Sequence, residues 1–427
     1  MHMKAYTDMT QDELRALHSD LKAQYKDWQD KGLDLNMARG KPGKDQLDLS
    51  MGLLDVVTSQ DDMVLEDGTD LRNYGVLDGL PAAKDLMAGM MNVKSDQVII
   101  YGNSSLNVMY DQIARSMTHG VNGSKPWAKL DTVKWLCPSP GYDRHFGITE
   151  WFGIEMITIP MTPEGPDMDM VEKLVAEDEA IKGMWCVPMY SNPQGVVYSD
   201  ETVRRIAALN PKAGDFRVYW DNAYCIHHLY DEHPTLLNIL DECEKAGHPD
   251  MAMMFASTSK VVFPGAGISA LATSKTNKDF ILRQLTNQTI GYDKINQYRH
   301  VKFFKNVDGL KAHMKKHADI IRPKFEAVEH ILEEELGGLE IGTWLNPRGG
   351  YFIHFDTLPG CAKRTVELAK DAGVVMTGAG ATFPYHNDPQ DTSIRIAPTL
   401  PSADEMAQAA RLFALCVKLA ACEKLIA

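Results

Sequence analysis

Two stretches decide the fold: Phe216-Arg217-Val218-Tyr219-Trp220-Asp221-Asn222-Ala223-Tyr224 and, further on, Met253-Met254-Phe255-Ala256-Ser257-Thr258-Ser259-Lys260. Each is a short apolar run that stops abruptly at a cluster of polar residues. Neither run alternates between polar and apolar, so both suit strands covered on both faces, as in a parallel or mixed sheet. The pattern recurs along the chain. Val98-Ile99-Ile100-Tyr101 runs into Gly102-Asn103-Ser104-Ser105, and Val133-Lys134-Trp135-Leu136 into Cys137-Pro138-Ser139-Pro140-Gly141-Tyr142. Met184-Trp185-Cys186-Val187 runs into a loop holding Ser191-Asn192-Pro193-Gln194-Gly195, and Ile268 to Thr273 forms one more strand. Helical stretches separate these runs, which predicts an α/β fold with a mostly parallel sheet. Polar groups gathered just beyond strand ends are where such sheets place ligand sites.

Outward from this region the pattern changes. Thr10-Gln11-Asp12-Glu13 reads as a capping box, and Leu14, Leu17, Leu21, Tyr25 and Trp28 follow at helical spacing toward Gly32. Leu35 to Gly43 is a Gly/Pro loop carrying Arg39, Gly40 and Lys41. Val307 to Leu336 reads as a long helix in which Pro323 marks a kink or a break. Tyr351 to Phe355 and Ser393 to Ile396 read as strands, with helices between them and from Ser402 onward. These signals predict a large domain over residues 48–320. The segments 1–47 and 321–427 together are expected to form a smaller α+β domain.

The chain has 427 residues, enough for a sizeable core, and its 44 basic against 58 acidic residues give a net charge of −14. That sign argues against a nucleic-acid partner and against an anionic membrane surface. No apolar run approaches the ~18 residues of a membrane span, and the N-terminus lacks a signal-peptide pattern. The seven cysteines are irregularly spaced without a C-x-x-C pair, which suits reduced thiols in a cytoplasmic protein rather than disulfides or zinc. Cys225, His227 and His228 lack a standard metal-ligand spacing, so no metal site is expected.

Four strand-end positions carry candidate chemistry. Lys260 sits between a buried strand and the turn Pro264-Gly265-Ala266-Gly267, where burial would depress its pKa and make it a Schiff-base candidate. A surface lysine at a turn is the bland reading. Asp221 ends an apolar strand, which is costly unless the carboxylate finds a partner such as a protonated ring nitrogen. Taken alone, Asp221 reads first as an N-cap opening the next helix. Asn192, in an Asn-Pro turn, could donate to an oxygen of a bound ring. Ser104 and Ser105 open a helix whose N-terminus could cup a phosphate, although no nucleotide-binding glycine fingerprint is present. Each signal is weak alone. Their order is not, since Asn192, Asp221 and Lys260 follow at intervals of 29 and 39 residues, each at a strand end.

Taken together, the chain resembles the fold-type-I pyridoxal-phosphate aminotransferases, in particular a divergent aspartate aminotransferase subgroup. The motifs are Ser104-Ser105-Leu106-Asn107, Tyr142, Asn192-Pro193-Gln194-Gly195, Asp221-Asn222-Ala223-Tyr224, Ser257-Thr258-Ser259-Lys260 and Ile394-Arg395-Ile396-Ala397-Pro398, spread over most of the chain in the family's order. The resemblance implies pyridoxal 5'-phosphate held as a Schiff base on Lys260, with Asp221 keeping the pyridine nitrogen protonated. It implies that Tyr224 and Asn192 bond the ring oxygen, that Tyr142 stacks on the ring, and that Ser104, Ser105 and Ser257 bind the phosphate. Tyr74 matches a tyrosine that relatives offer to a neighbouring subunit's phosphate, which implies a homodimer with shared sites. Arg395 would grip the substrate α-carboxylate with a planar fork.

One departure stands out: relatives carry a phosphate-clamping arginine where this chain has Gly267. Arg39 and Lys41 are the candidates to replace it. For the substrate side chain, Arg144 is expected to read the distal carboxylate of aspartate or glutamate, with Arg39 and Gly40 approaching from the Gly/Pro loop. The expected reaction moves the amino group of L-aspartate or L-glutamate to a 2-oxo acid such as 2-oxoglutarate. The alternatives are an aromatic or kynurenine-type aminotransferase, and an aminotransferase-like regulator or sensor module, which would need a basic winged helix that the acidic chain lacks room for.

Overall fold

A computed structural model describes residues 4–427. The central feature is an eight-stranded sheet. Across it run Val98–Tyr101, Ser269–Thr273, Ala252–Ser257, Arg217–Asp221, Ile181–Cys186, Lys134–Ser139, Glu155–Thr162 and Gly165–Pro166. From Ala252–Ser257 to Glu155–Thr162 every neighbouring pair is parallel. Ser269–Thr273 runs antiparallel to both of its neighbours, and Gly165–Pro166 antiparallel to Glu155–Thr162.

The unalternating strand sequences have a direct structural cause. Successive side chains point to opposite faces of a strand, and here both faces are covered. Ile100, Leu136, Met184, Val218, Trp220 and Met254 join one core. Their neighbours Ile99, Trp135, Trp185, Tyr219, Met253 and Phe255 join another. Both sets are buried, so neither face needed polar residues.

A further core gathers Leu14, Leu21 and Tyr25 of the helix Gln11–Gln29 with the helices Val307–Leu336 and Ala403–Ile426. The antiparallel sheet Gly342–Trp344, Ile353–Thr357, Ser393–Ile396 packs there too. The first helix opens with the expected capping box, Thr10 with Glu13. The Gly/Pro loop begins with Leu35–Asn36, which pairs in parallel with Val374–Val375. Two details sharpen the expectation. Val307–Leu336 runs through Pro323 without a break, and its side chains contribute to the cores at both of its ends. The strand expected over Tyr351 to Phe355 lies at Ile353–Thr357, because Tyr351 and Phe352 turn instead toward the cleft residues Val187 and Tyr224.

Candidate active site

The five strand ends singled out in the sequence converge on one cleft of about 650 Å³. Its walls include Ser104, Ser105, Tyr142, Asn192, Asp221, Tyr224, Ser257 and Lys260 from the central sheet. Arg39, Gly40 and Lys41 from the Gly/Pro loop face them, with Arg395 and Thr377. Arg144 lines the cleft as well, one helical position beyond Asp143. Tyr74 does not: its side chain stands 82% exposed outside this chain's own cleft.

Lys260 follows the strand Ala252–Ser257 by three residues. Its Nζ lies over the rings of Tyr224 (5.1 Å) and Tyr351 (5.7 Å). Burial pushes its pKa below the ordinary lysine range; the Asp221 carboxylate opposes this and the Arg395 charge reinforces it. Burial also holds the Tyr224 phenol far above its usual range, so it remains a donor at neutral pH.

Asp221 is the last residue of its strand and is 4% exposed. Its Oδ2 lies 2.9 Å from His145 Nε2. Its Oδ1 is buried with no donor among the described residues. A buried carboxylate oxygen left unpaired is expensive, so this is where a protonated ring nitrogen fits. His145 went unread in the sequence. It is buried, stacks on Trp185 at 4.3 Å, and lies one turn into the helix that Tyr142 caps. That spacing from Tyr142 was the available signal.

One end of the cleft is built from a helix N-terminus. Ser104 is the N-cap of Ser105–His119, its hydroxyl accepting from the Asn107 amide. The first amides of a helix have no intrahelical acceptor and favour anions. Ser257 donates to Ser259, and Ser259 to the Asn103 carbonyl, which ties the two loops together. Ser259 lines the cleft and was not among the expected site residues. At Gly267 a Cβ would meet Thr258 Oγ1 at 3.0 Å and the Ser259 amide nitrogen at 3.2 Å. Asn296 also pins the carbonyls of Ala266 and Gly267. A side chain at this position would thus start out tightly packed against the loop that carries Lys260.

Arg395, from the strand Ser393–Ile396, is 7% exposed. Its Nη1 donates to Asp143 Oδ1 (3.1 Å) and to Asn192 Oδ1 (3.2 Å). Its Nη2 donates to Thr377 Oγ1 at 3.2 Å and reaches the Ala38 carbonyl at 3.5 Å. Phe352 covers the guanidinium face at 4.7 Å. Gly40 packs beneath that ring so tightly that a Cβ would lie 2.5 Å from Phe352 Cζ. Since Asn192 Oδ1 faces Arg395, its Nδ2 remains as the donor toward the cleft. Arg39 and Arg144 are exposed at the rim, and neither pairs with a carboxylate among the described residues.

Comparison with known proteins identifies the family. The family model for aspartate amino-transferase matches residues 9–427. An aspartate aminotransferase of Corynebacterium glutamicum is 43% identical over 417 residues, covering 97% of this chain and 96% of the relative. The crystal structure of an aspartate transaminase from that organism superposes with a TM-score of 0.96 at 42% identity, over 99% of this chain and 100% of the other. A kynurenine aminotransferase of Pyrococcus horikoshii superposes with a TM-score of 0.73 over 96% of this chain and 95% of the other; at 19% identity it speaks to the fold alone. The chain therefore belongs to the aspartate aminotransferase subgroup of the fold-type-I pyridoxal-phosphate aminotransferases.

Proposed function

We propose that the cleft holds pyridoxal 5'-phosphate and transfers the amino group of L-aspartate or L-glutamate to a 2-oxo acid such as 2-oxoglutarate. The observation that carries this reading is the buried, unpartnered Oδ1 of Asp221 in the same cleft as Lys260. When bound, the cofactor supplies an electron-poor ring that stabilises negative charge at the substrate Cα. The remaining work falls to the chain. Lys260 Nζ is the covalent attachment point and, once released, the base that carries the Cα proton; burial, which lowers its pKa, favours the neutral amine that this task requires. Asp221 Oδ1 accepts from the ring nitrogen, and His145 fixes the carboxylate from behind. Tyr224 and Asn192 Nδ2 donate to the ring oxygen, and Tyr142 covers the ring.

Ser104, Ser105, Ser257 and Ser259, with the helix N-terminus, receive the phosphate, and Arg39 or Lys41 supplies the cation that Gly267 does not. Tyr74 of a second copy completes this end, which makes the working unit a homodimer. Arg395 binds the α-carboxylate; Arg144, with Arg39 and the Gly40 backbone, meets the distal one. In this reading residues 48–320 form the cofactor-binding domain, and 1–47 with 321–427 the domain that supplies the substrate-side wall.

The test is spectroscopic. Protein incubated with pyridoxal phosphate should show a visible band that shifts on adding L-aspartate or L-glutamate. After borohydride reduction the wild type should carry the cofactor's mass on the peptide holding Lys260, and Lys260→Ala should not. A band that responds to phenylalanine or kynurenine but not to dicarboxylic amino acids would refute the substrate assignment.

A further inference from the structure

The terminal nitrogens of Arg395 are already fully engaged: they meet four acceptors, from Asp143, Asn192, Thr377 and Ala38. Only its Nε–H, also buried, has no partner. Of the four acceptors, Asp143 alone is an anion, and its side chain is 29% exposed against 7% for Arg395. The other three acceptors are neutral, and one of them must also yield, or the free Nε–H must serve, if the carboxylate is to be held by two N–H groups. The fourth competes directly, because an incoming α-carboxylate needs the same guanidinium edge that Asp143 Oδ1 occupies at 3.1 Å.

We propose that Asp143 is a built-in stand-in for the substrate α-carboxylate, seated on Arg395 when the cleft is empty and displaced when substrate arrives. This rests on the reading of Arg395 as the α-carboxylate clamp. The physical case has two halves. A guanidinium buried without a counter-charge is strongly unfavourable, so an empty clamp needs an anion. Asp143 is also the first residue of the helix Asp143–Trp151. A carboxylate released there stays at a helix N-terminus, where negative charge is favoured. The exchange swaps one carboxylate for another on Arg395 and leaves the charge on the clamp constant. Asp143 is thus a positioning residue that acts through Arg395 and sets a common affinity penalty for every α-carboxylate ligand.

Succinate, a dicarboxylate without an amine, is the probe, titrated calorimetrically into cofactor-loaded protein. Asp143→Asn keeps the shape and removes the charge, and should tighten succinate binding by about tenfold. It should lower KM for L-aspartate by a larger factor than it changes kcat. Glu150→Gln removes the same charge from an exposed position on the same helix, and should shift succinate affinity less than about twofold. Weaker succinate binding in Asp143→Asn would overturn the proposal, because Asp143 would then be holding Arg395 in place. Equal tightening in both variants would also overturn it, since the cause would be the general field. Arg395→Gln separates the two readings. If it binds succinate like the wild type, the clamp assignment itself fails; if it does not bind, the outcome of Asp143→Asn decides the stand-in role alone.

Discussion

Replacing His300 by glutamine should flatten the acid limb of the protein's stability. His300 is fully buried beneath the lysine loop. Its Nδ1 lies 2.8 Å from the Asn296 carbonyl, and its Nε2 lies 3.0 Å from Thr258 Oγ1. This network suits a neutral ring that donates at Nδ1 and accepts at Nε2. Burial lowers its pKa from 6.5 to about 4. The folded state therefore binds fewer protons than the unfolded state between those values. Stability from this group is complete above about pH 6.5 and declines as pH falls toward 4. The slope is ~1.4 kcal/mol per pH unit, and the gap of about 2.5 units sets a ceiling of ~3.4 kcal/mol. Glutamine retains a donor and an acceptor but loses ring packing and some geometry, at a cost of ~1 kcal/mol at pH 8. Urea unfolding from pH 8 to 4.5, at one protein concentration, should therefore give curves that cross between about pH 5 and 6. His228 and His317 are likewise lowered to about 4. They are common to both proteins and cancel in the difference. Two curves that stay parallel, offset but with the same pH slope, would refute the argument.

Two further expectations concern the substrate wall. Arg144→Ala should raise KM for L-aspartate and L-glutamate by about tenfold while leaving aromatic and apolar amino acids within about twofold, as expected for one exposed charge contact to the distal carboxylate; equal effects on all substrates would reject that role. Gly40→Ala drives a methyl into the Phe352 ring that covers Arg395. Overpacking of this kind costs ~1–3 kcal/mol, and here it should appear as raised KM for dicarboxylic and aromatic substrates alike, measured in the same coupled assay.

The strand ends were legible because each element announces itself locally. An apolar run covered on both faces, broken by a polar loop, needs no distant information. Asn192, Asp221 and Lys260 could therefore be picked out from spacing, and the family resemblance gave them roles. What escaped was set by tertiary partners. His145 matters because its helix returns it under Asp221, and Phe352 because Gly40 lets it approach Arg395. The strand Glu155–Thr162 was not read, since it carries Glu155, Thr158, Pro160 and Thr162 and is only partly buried near the sheet edge. The insertion of Ser269–Thr273 between Val98–Tyr101 and Ala252–Ser257 is likewise a pairing choice that no local pattern encodes. The Asp143–Arg395 pair joins residues 252 positions apart.

The pairing of Leu35–Asn36 with Val374–Val375 has a consequence for biosynthesis. At ~5–20 residues per second, synthesis of the intervening chain occupies tens of seconds. Throughout that interval the first helix has its apolar stripe of Leu14, Leu21 and Tyr25 made, but not the C-terminal helix Ala403–Ile426 that it packs against. The central sheet, complete by Thr273, can assemble on the ribosome well before then. The nascent chain therefore emerges with an early hydrophobic segment that must wait for its last one. The Gly/Pro loop that Leu35–Asn36 opens, with Arg39, Gly40 and Lys41, therefore takes its place in the cleft only once the chain has been made through Val375.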